Sequence, residues 1–423
     1  MITSTQLPNG IRMLLEPVTA TEIISVGFWF LHGSRDEAED REGYSHFLEH
    51  MLFKGTSRRS TTQIAREIDR VGGGINAFTE KEVTCVYCTV PKEHFRLAVD
   101  ILTDIVFHST FPEHELDLEK TVVINELKSS EDTPEEKSFD LFFSGMWDGH
   151  PLSRRIIGTE RSIKGITREA LLNFYRRFFT AANLVVAVAG DFTEQEVLEE
   201  FARIECPAGA DDSIKNRTKP VQQVRADFVP DKFQQAHVYL GSYLRPAHSV
   251  RDYYIQLIVS TCFGEAVSSR LFQEIREKQG LCYSIFSSRI YYSDVGLWII
   301  YANTLPGMIP RLLDSTAAEY RRFIAAPPAQ DELEESRCHI RGTLILSKQD
   351  LEVRMKRIAR QYIVMRELLT YEESMSLVGS ITKDEIDAEL AYLDRHAAYN
   401  LLVFGCRDVV KYRKYNLAMR GKE

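Results

Sequence analysis

Three residues of Gly43-Tyr-Ser-His46-Phe-Leu-Glu49-His50-Met-Leu-Phe53 have the types and spacing of a metal centre. His46 and His50 are four apart, so on a helix their imidazoles lie about 40° apart around the axis and can reach one ion. Glu49 falls on the neighbouring edge, where it suits a base acting on a water at the metal rather than a ligand. The order H-x-x-E-H is the inverted zincin signature. In a chain with 11 histidines it is expected by chance only about 0.02 times. The plain alternative is an exposed helix that happens to carry a histidine pair. Two histidines leave zinc short of the third protein ligand that catalytic sites use beside water. The best candidate is Glu126, with Glu119 seven residues before it. Seven residues make nearly two helical turns, so both carboxylates share a face. One would ligate the metal and the other would hold a ligand or water from behind. A solvated helix edge is the competing reading of this pair.

These side chains need helices to carry them, and the periodicity supplies helices. Helical patterns cover Gly43–Phe53 and Thr61–Val71, the second capped by Ser60. Strand patterns at Ile11–Pro17 and Ile23–Leu31 precede them, and strands at Gly74–Phe78 and Glu82–Val90 follow. Long helical patterns fill Lys92–His108, Glu113–Glu131 and Pro134–Trp147. A helix at Thr167–Phe179, a strand at Leu184–Ala189 and a helix from Thr193 close this half. Cys206–Pro220 is polar and turn-forming, as an interdomain linker would be. The order then recurs. A strand at His237–Tyr243 leads to helices Arg251–Cys262 and Ser269–Lys278, then to strands Tyr283–Ile290 and Gly296–Ala302. Helices from Pro306 to Leu377, a helix at Thr382–Leu393 and a strand at Ala398–Phe404 complete it. The expected fold is α+β, with two homologous domains, each a mostly antiparallel sheet packed with helices. Residues 1–208 would be the metal-binding domain, 209–222 the linker, and 223–423 a non-catalytic counterpart.

Composition narrows the function. With 44% hydrophobic and 27% charged residues in 423, the chain is ordinary globular protein and not collagen-like or disordered. A net charge of −9 disfavours nucleic acid and anionic membrane as partners and permits basic ligands. No apolar run approaches the roughly 18–20 residues of a membrane span, and the N-terminus has no secretory pattern. Seven cysteines, odd and sparse, point to a reducing, cytoplasmic setting. Cys85 and Cys88 form a CxxC, but in a β-branched run their side chains point to opposite faces, which makes them structural. Gly72-Gly73-Gly74 lacks the Lys-Ser/Thr of a phosphate loop and reads as a tight turn. The basic stretch Lys411–Lys414 reads as a solvated end.

Several further stretches carry a resemblance over almost the whole length. They are Leu7-Pro-Asn-Gly10, Gly33-Ser-Arg-Asp-Glu37, Phe53-Lys-Gly-Thr56, Asn76-Ala-Phe-Thr79 and His150-Pro-Leu152, and also Gly190-Asp191, Ser269-Arg-Leu-Phe272, Arg276-Glu-Lys278 and Gly280-Leu-Cys-Tyr283. With the H-x-x-E-H run they resemble the pitrilysin family, which includes insulin-degrading enzyme and the mitochondrial processing peptidase. The similarity is greatest to the short, two-domain branch that holds bacterial relatives of the processing peptidase. In that family the third zinc ligand lies about 76 residues beyond the second histidine, and here that position is Glu126. The resemblance implies one zinc ion per chain on His46, His50 and Glu126, with Glu49 as general base and Glu119 as an acid behind the ligands.

The resemblance also implies how substrate would be handled. Arg276 and Tyr283 are the family's Arg/Tyr pair of the non-catalytic half and would stabilise the oxyanion. In relatives this pair faces the zinc of another two-domain unit, so a homodimer with the pair acting in trans is expected. Its chamber would admit peptide or unfolded polypeptide. Asn76, Ala77 and Phe78 lie in the family's substrate-binding edge strand, where a peptide pairs by β-addition. Phe53 stands where processing peptidases line the pocket just after the cleaved bond. Glu136 and Asp140 stand where they bind an Arg, and at i, i+4 they would make a fork for a guanidinium. The competing reading of these two is a solvated acidic helix. One departure is Cys262–Ser268, which holds one glycine where the companion subunit of the processing peptidase has a glycine-rich capture loop. The expected activity is zinc-dependent endopeptidase with a preference for Arg near the cleaved bond. The rival is a non-catalytic peptide-binding or assembly subunit of the same fold.

Overall fold

The computed structural model describes residues 1–207, 209, 217–396 and 398–412. The central part of the expected linker and the basic end at Arg413-Lys414 lie outside the described residues. The first half runs β1 (Thr3–Gln6), β2 (Arg12–Pro17), β3 (Ile23–Phe30), α1 (Tyr44–Leu52), α2 (Thr61–Asp69), β4 (Gly74–Thr79) and β5 (Thr84–Pro91). It continues with α3 (Phe95–Phe107), α4 (Glu113–Asp132), α5 (Pro134–Met146), α6 (Glu160–Gly165), α7 (Arg168–Phe178), β6 (Leu184–Gly190) and α8 (Glu194–Ala202). The second half runs β7 (Ala226–Pro230), β8 (Ala236–Leu244), α9 (Val250–Ser260), β9 (Ser284–Tyr291) and β10 (Gly296–Thr304). Four helices follow, α10 (Ile309–Ala325), α11 (Gln330–Ser347), α12 (Leu351–Met365) and α13 (Tyr371–Ser380). The half ends with α14 (Lys383–Arg395) and β11 (Asn400–Gly405). The strands β1 and β7 and the helix α6 are additions to the sequence expectation. All three are short and largely polar or exposed, so no hydrophobic period marks them.

The two sheets have one topology. The first has the order β1-β2-β6-β3-β5-β4 and the second β7-β11-β8-β10-β9. Without β1 they correspond strand for strand. The pairs β2/β6 and β7/β11 are parallel, and every other pair is antiparallel. Even the strand ends correspond. Gly190 and Gly405 each close the parallel strand at positive φ (151° and 147°), pressed on the backbone of the neighbouring strand, where a Cβ would collide. This is the duplicated α+β fold expected from the repeated element order.

Among the described residues the chain divides into two compact units. Met1–Ser129, Arg154–Arg217 and Leu346–Thr370 form the first, and Ser130–Ser153, Thr218–Ile345 and the residues from Tyr371 onward form the second. The linear halves therefore exchange helices. One face of the first sheet is covered by α1, α3, α7 and α8, with Phe28, Phe30, Cys88 and Val188 in that core. The other face is covered by α12 from the second half, whose Met355, Ile358 and Ala359 pack on Leu14, Trp29, Cys85 and Ala187. Cys85 and Cys88 thus lie in cores on opposite faces of β5, both buried and unpaired. In the second unit α5 from the first half plays the part of α12. Its Phe142, Phe143 and Met146 pack on Tyr239, Leu297, Ile299 and Phe404. The division at 1–208 and 223–423 gives no sign of this exchange.

Candidate metal centre

Helix α1 starts where the chain can turn. Gly43 holds φ +87°, and a Cβ there would lie 2.6 Å from the Ile157 carbonyl oxygen. The buried carboxylate of Glu37 accepts from the backbone N–H of Gly43 (2.8 Å) and Ser45 (2.6 Å), satisfying donors the helix itself leaves open. Burial pushes this carboxyl up to about 8, against the pull of those hydrogen bonds. One face of α1, with Tyr44, Phe47, Leu48, Met51 and Leu52, enters the core. Its amphipathic pattern then fixes the other face, which carries His46, Glu49 and His50. Helix α4 buries Leu116, Glu119, Val123 and Leu127 and presents Glu126 half exposed.

These two helices close a donor set. Glu126 Oε1 lies 3.5 Å from His46 Nε2, and Glu126 Oε2 lies 3.4 Å from His50 Nε2. One donor atom from each of the three residues lies within 4.8 Å of the others. Two donors bound to a tetrahedral zinc at about 2.1 Å stand about 3.4 Å apart, so the observed spacings suit zinc. Two imidazoles and one carboxylate are also a donor set that zinc takes. Behind His50, Glu119 Oε1 meets Nδ1 at 2.8 Å, which turns Nε2 toward Glu126. Lys54 Nζ holds the other oxygen of Glu119 at 2.5 Å. His46 Nδ1 is buried and has no hydrogen-bond partner among the described residues.

Electrostatics separates Glu126 from Glu49. Hydrogen bonds from His46 and His50 hold Glu126 well below the usual carboxylate range. Burial alone would lower the His50 imidazole, but hydrogen bonds to Glu119 and Glu126 outweigh it and raise it to about 9. Burial raises Glu49, opposed by a 2.6 Å hydrogen bond donated by Thr79 Oγ1. A carboxylate held beside the donor set, outside it and raised in basicity, is what a general base requires. Thr79 comes from β4, the edge strand, which among the described residues pairs only with β5. Asn76 is exposed on that strand, and its Oδ1 accepts from Ala77 N–H at 2.8 Å; Ala77 and Phe78 are partly buried. Phe53 packs partly buried against the core below α1.

The remaining sequence-predicted residues belong to the second unit. Arg276 lies in a π-helical turn, Phe272–Lys278. Its guanidinium sits 4.5 Å from the Phe272 ring centroid and 5.8 Å from that of Tyr283, so the Arg/Tyr pair comes together there. Tyr283 is 75% exposed. Glu136 and Asp140 share a face of α5, Glu136 exposed and Asp140 partly so. Sequence reasoning gave no supporting role at the metal centre to Glu37, Lys54 or Thr79, and none beside Arg276 to Phe272. Thr79 ends the edge strand and Lys54 follows His50 by four residues. Neither spacing tells a lysine or threonine at a helix or strand end from a solvated one.

Comparison with known proteins shows the family. Residues 12–160 match the family model described as insulinase (peptidase family M16), and residues 165–337 match the one described as peptidase M16 inactive domain. The uncharacterized zinc protease YmxG of Bacillus subtilis is 33% identical over 90% of this chain and 92% of its own length. An uncharacterized zinc protease of Mycobacterium leprae is 34% identical over 95% of this chain and 91% of its own. A protease from Helicobacter pylori has a solved structure with the same fold. Its TM-score is 0.85 at 20% identity, covering 96% of this chain and 99% of that one. A peptidase M16 inactive domain from Pseudomonas fluorescens gives 0.86 at 18%, covering 96% and 98%.

Proposed function

This chain belongs to the insulinase family of M16 peptidases, and from that premise we propose that it is a zinc-dependent endopeptidase acting on peptides or unfolded segments. The observation that carries the reading is the closure of His46, His50 and Glu126 at zinc-like spacing with Glu49 beside them. When bound there, zinc supplies Lewis acidity that makes a water a nucleophile at neutral pH and polarises the scissile carbonyl. Glu119 keeps His50 turned toward the donor set, and Thr79 holds Glu49 in place. Glu49 removes the proton of the attacking water and returns it to the leaving amine. The free edge of β4, at Asn76–Phe78, pairs with the substrate backbone, which tolerates many sequences. Phe53 lines the pocket just after the cleaved bond.

The finer reading concerns assembly and specificity. The chain forms a homodimer in the cytoplasm, and Arg276 and Tyr283 of one protomer serve the oxyanion at the centre of its partner. The exposure of Tyr283 and the stacking that holds Arg276 beside it support this role. Glu136 and Asp140 bind a substrate Arg close to the cleaved bond.

The test is incubation of the wild type and Glu49→Gln with an unstructured, Arg-containing peptide, with products mapped by mass spectrometry. General-base catalysis contributes about 10²–10⁴-fold, so the variant should lose that much turnover. Cleavage by the wild type alone, one residue after an Arg, supports the zinc mechanism and the Glu136/Asp140 fork. Cleavage at unrelated bonds keeps the zinc mechanism and removes the Glu136/Asp140 fork. A zinc-loaded wild type that cleaves no peptide moves the protein to the peptide-binding or assembly role.

A further inference from the structure

We propose that Lys54 is a positioning residue of the metal centre: it locks Glu119 so that His50 is presented through Nε2. The inference rests on the metal-centre reading above and adds a residue to it. Lys54 lies just past the end of α1. Its backbone N–H bonds to the Met51 carbonyl at 3.1 Å, and Gly55 follows at φ +114°. This tight exit, open to glycine at 55 without strain, returns the Lys54 side chain toward α4 instead of releasing it to solvent. There Nζ meets Glu119 Oε2 at 2.5 Å while Oε1 meets His50 Nδ1 at 2.8 Å. A carboxylate held at one oxygen can still rotate. One held at both oxygens, and 4% exposed, has a fixed plane.

Charge points the same way. Three carboxylates, Glu49, Glu119 and Glu126, surround the two histidines. A divalent ion balances two of them. Among the described residues Lys54 is the only lysine or arginine ion-paired with any of the three, and it balances the third. The Glu119 side chain is as buried as a core residue, and a carboxylate in such a place is costly without a paired cation. Lys54 therefore acts through Glu119 and not on the metal directly.

The test is a double-mutant cycle read as zinc affinity, by competition with a chromophoric chelator, on wild type, Lys54→Met, Glu119→Gln and the double variant. Partners behind a ligand typically contribute about 10–100-fold in metal affinity, and Lys54→Met should cost that much. In the Glu119→Gln background it should cost less than about twofold further, because the residue it acts through is already changed. Lys54→Gln serves the same cycle should the Met variant not fold. An unchanged affinity in Lys54→Met overturns the inference, and so does an equal loss in both backgrounds. His46→Ala, measured alongside, separates the two readings. If it too keeps full affinity, the metal centre itself is wrong; if it loses zinc while Lys54→Met does not, only the role of Lys54 falls.

Discussion

The helix after the central strand has opposite fates in the two repeats. In the first, α1 follows β3 and buries one face, leaving His46, Glu49 and His50 on the other, where α4 delivers Glu126. In the second, α9 follows β8 and buries Val250, Tyr254, Ile255, Gln256, Ile258 and Val259, which lie all around its axis. Helices α13 and α14 pack against it. It carries no histidine. The second repeat instead exposes Tyr283 and holds Arg276 in a π-helical turn between two rings. One scaffold therefore carries two different sets of side chains. What distinguishes them is whether the helix beside the sheet keeps a face open, which a handful of side chains decide. The fold alone would not separate the two, so function must be argued from the residues.

The comparison is broken most directly by counting metal. If only the first repeat holds a centre, dialysed protein should contain one zinc per chain by plasma mass spectrometry, and His46→Ala or Glu126→Ala should contain none. Removing a ligand from a three-residue set leaves too few donors for a catalytic site. A count of two would place a second centre in the other repeat. Retention of zinc by both variants would remove the centre from the first.

Parts of this architecture were legible in the sequence for a local reason. The H-x-x-E-H helix reads from a run of eleven residues, because helical geometry alone aligns its two imidazoles. Ser60 reads as a cap, and its side chain does accept from Gln63 N–H while Gln63 returns the bond. The edge position of β4 followed only with the family resemblance, since strand order is not written in a strand. Glu126 shows the boundary well. Its shared face with Glu119 is local, but that Glu126 reaches the Nε2 atoms of both histidines while Glu119 reaches Nδ1 of His50 depends on how α4 crosses α1. Lys54 and Thr79 act across such crossings. The exchange of α5 and α12 was illegible for a related reason. Both helices have an apolar face, and nothing in an apolar face names the sheet that will cover it.

The exchanged helices are fastened differently, and that difference can be measured. Arg354 of α12 meets Glu16 of β2 at 2.6 Å, both side chains under a tenth exposed, and Arg354 Nε also donates to the Lys348 carbonyl at 2.7 Å. Lys137 of α5 meets Asp231 at 2.7 Å, but with side chains 25% and 15% exposed. Breaking a buried pair by removing one partner costs about 3–5 kcal/mol, since the other charge stays buried. A pair open to water contributes about 0–1 kcal/mol. Arg354→Met should therefore lower the free energy of unfolding in urea by about 3–5 kcal/mol. Lys137→Met should cost about 1 kcal/mol or less. Equal losses would mean that the two helices are held alike and that burial is not what distinguishes them.

A smaller effect sharpens the same comparison at the packing surface. Each sheet makes room for its exchanged helix with a glycine, Gly27 on β3 and Gly241 on β8. A Cβ at Gly27 would meet Met355 Cε at 2.9 Å and Trp29 Nε1 at 2.8 Å, and one at Gly241 would meet the Phe142 ring, with Cε2 at 3.0 Å. The obstacles differ in stiffness. Met355 has three rotatable bonds and a deformable thioether. Phe142 is a rigid ring stacked on Tyr239, centroids 5.3 Å apart and planes 22° apart. Overpacking a core costs about 1–3 kcal/mol. Gly27→Ala should fall at the low end of that range and Gly241→Ala at the high end, read from the shift of the unfolding midpoint at constant m-value. Phe142→Leu should recover part of the loss in Gly241→Ala while being costly by itself, since the two share one volume and cannot be additive. If instead the two alanines cost the same and Phe142→Leu adds to the second, the ring is not the obstacle, and the helix must sit farther from β8 than the packing of Phe142 requires.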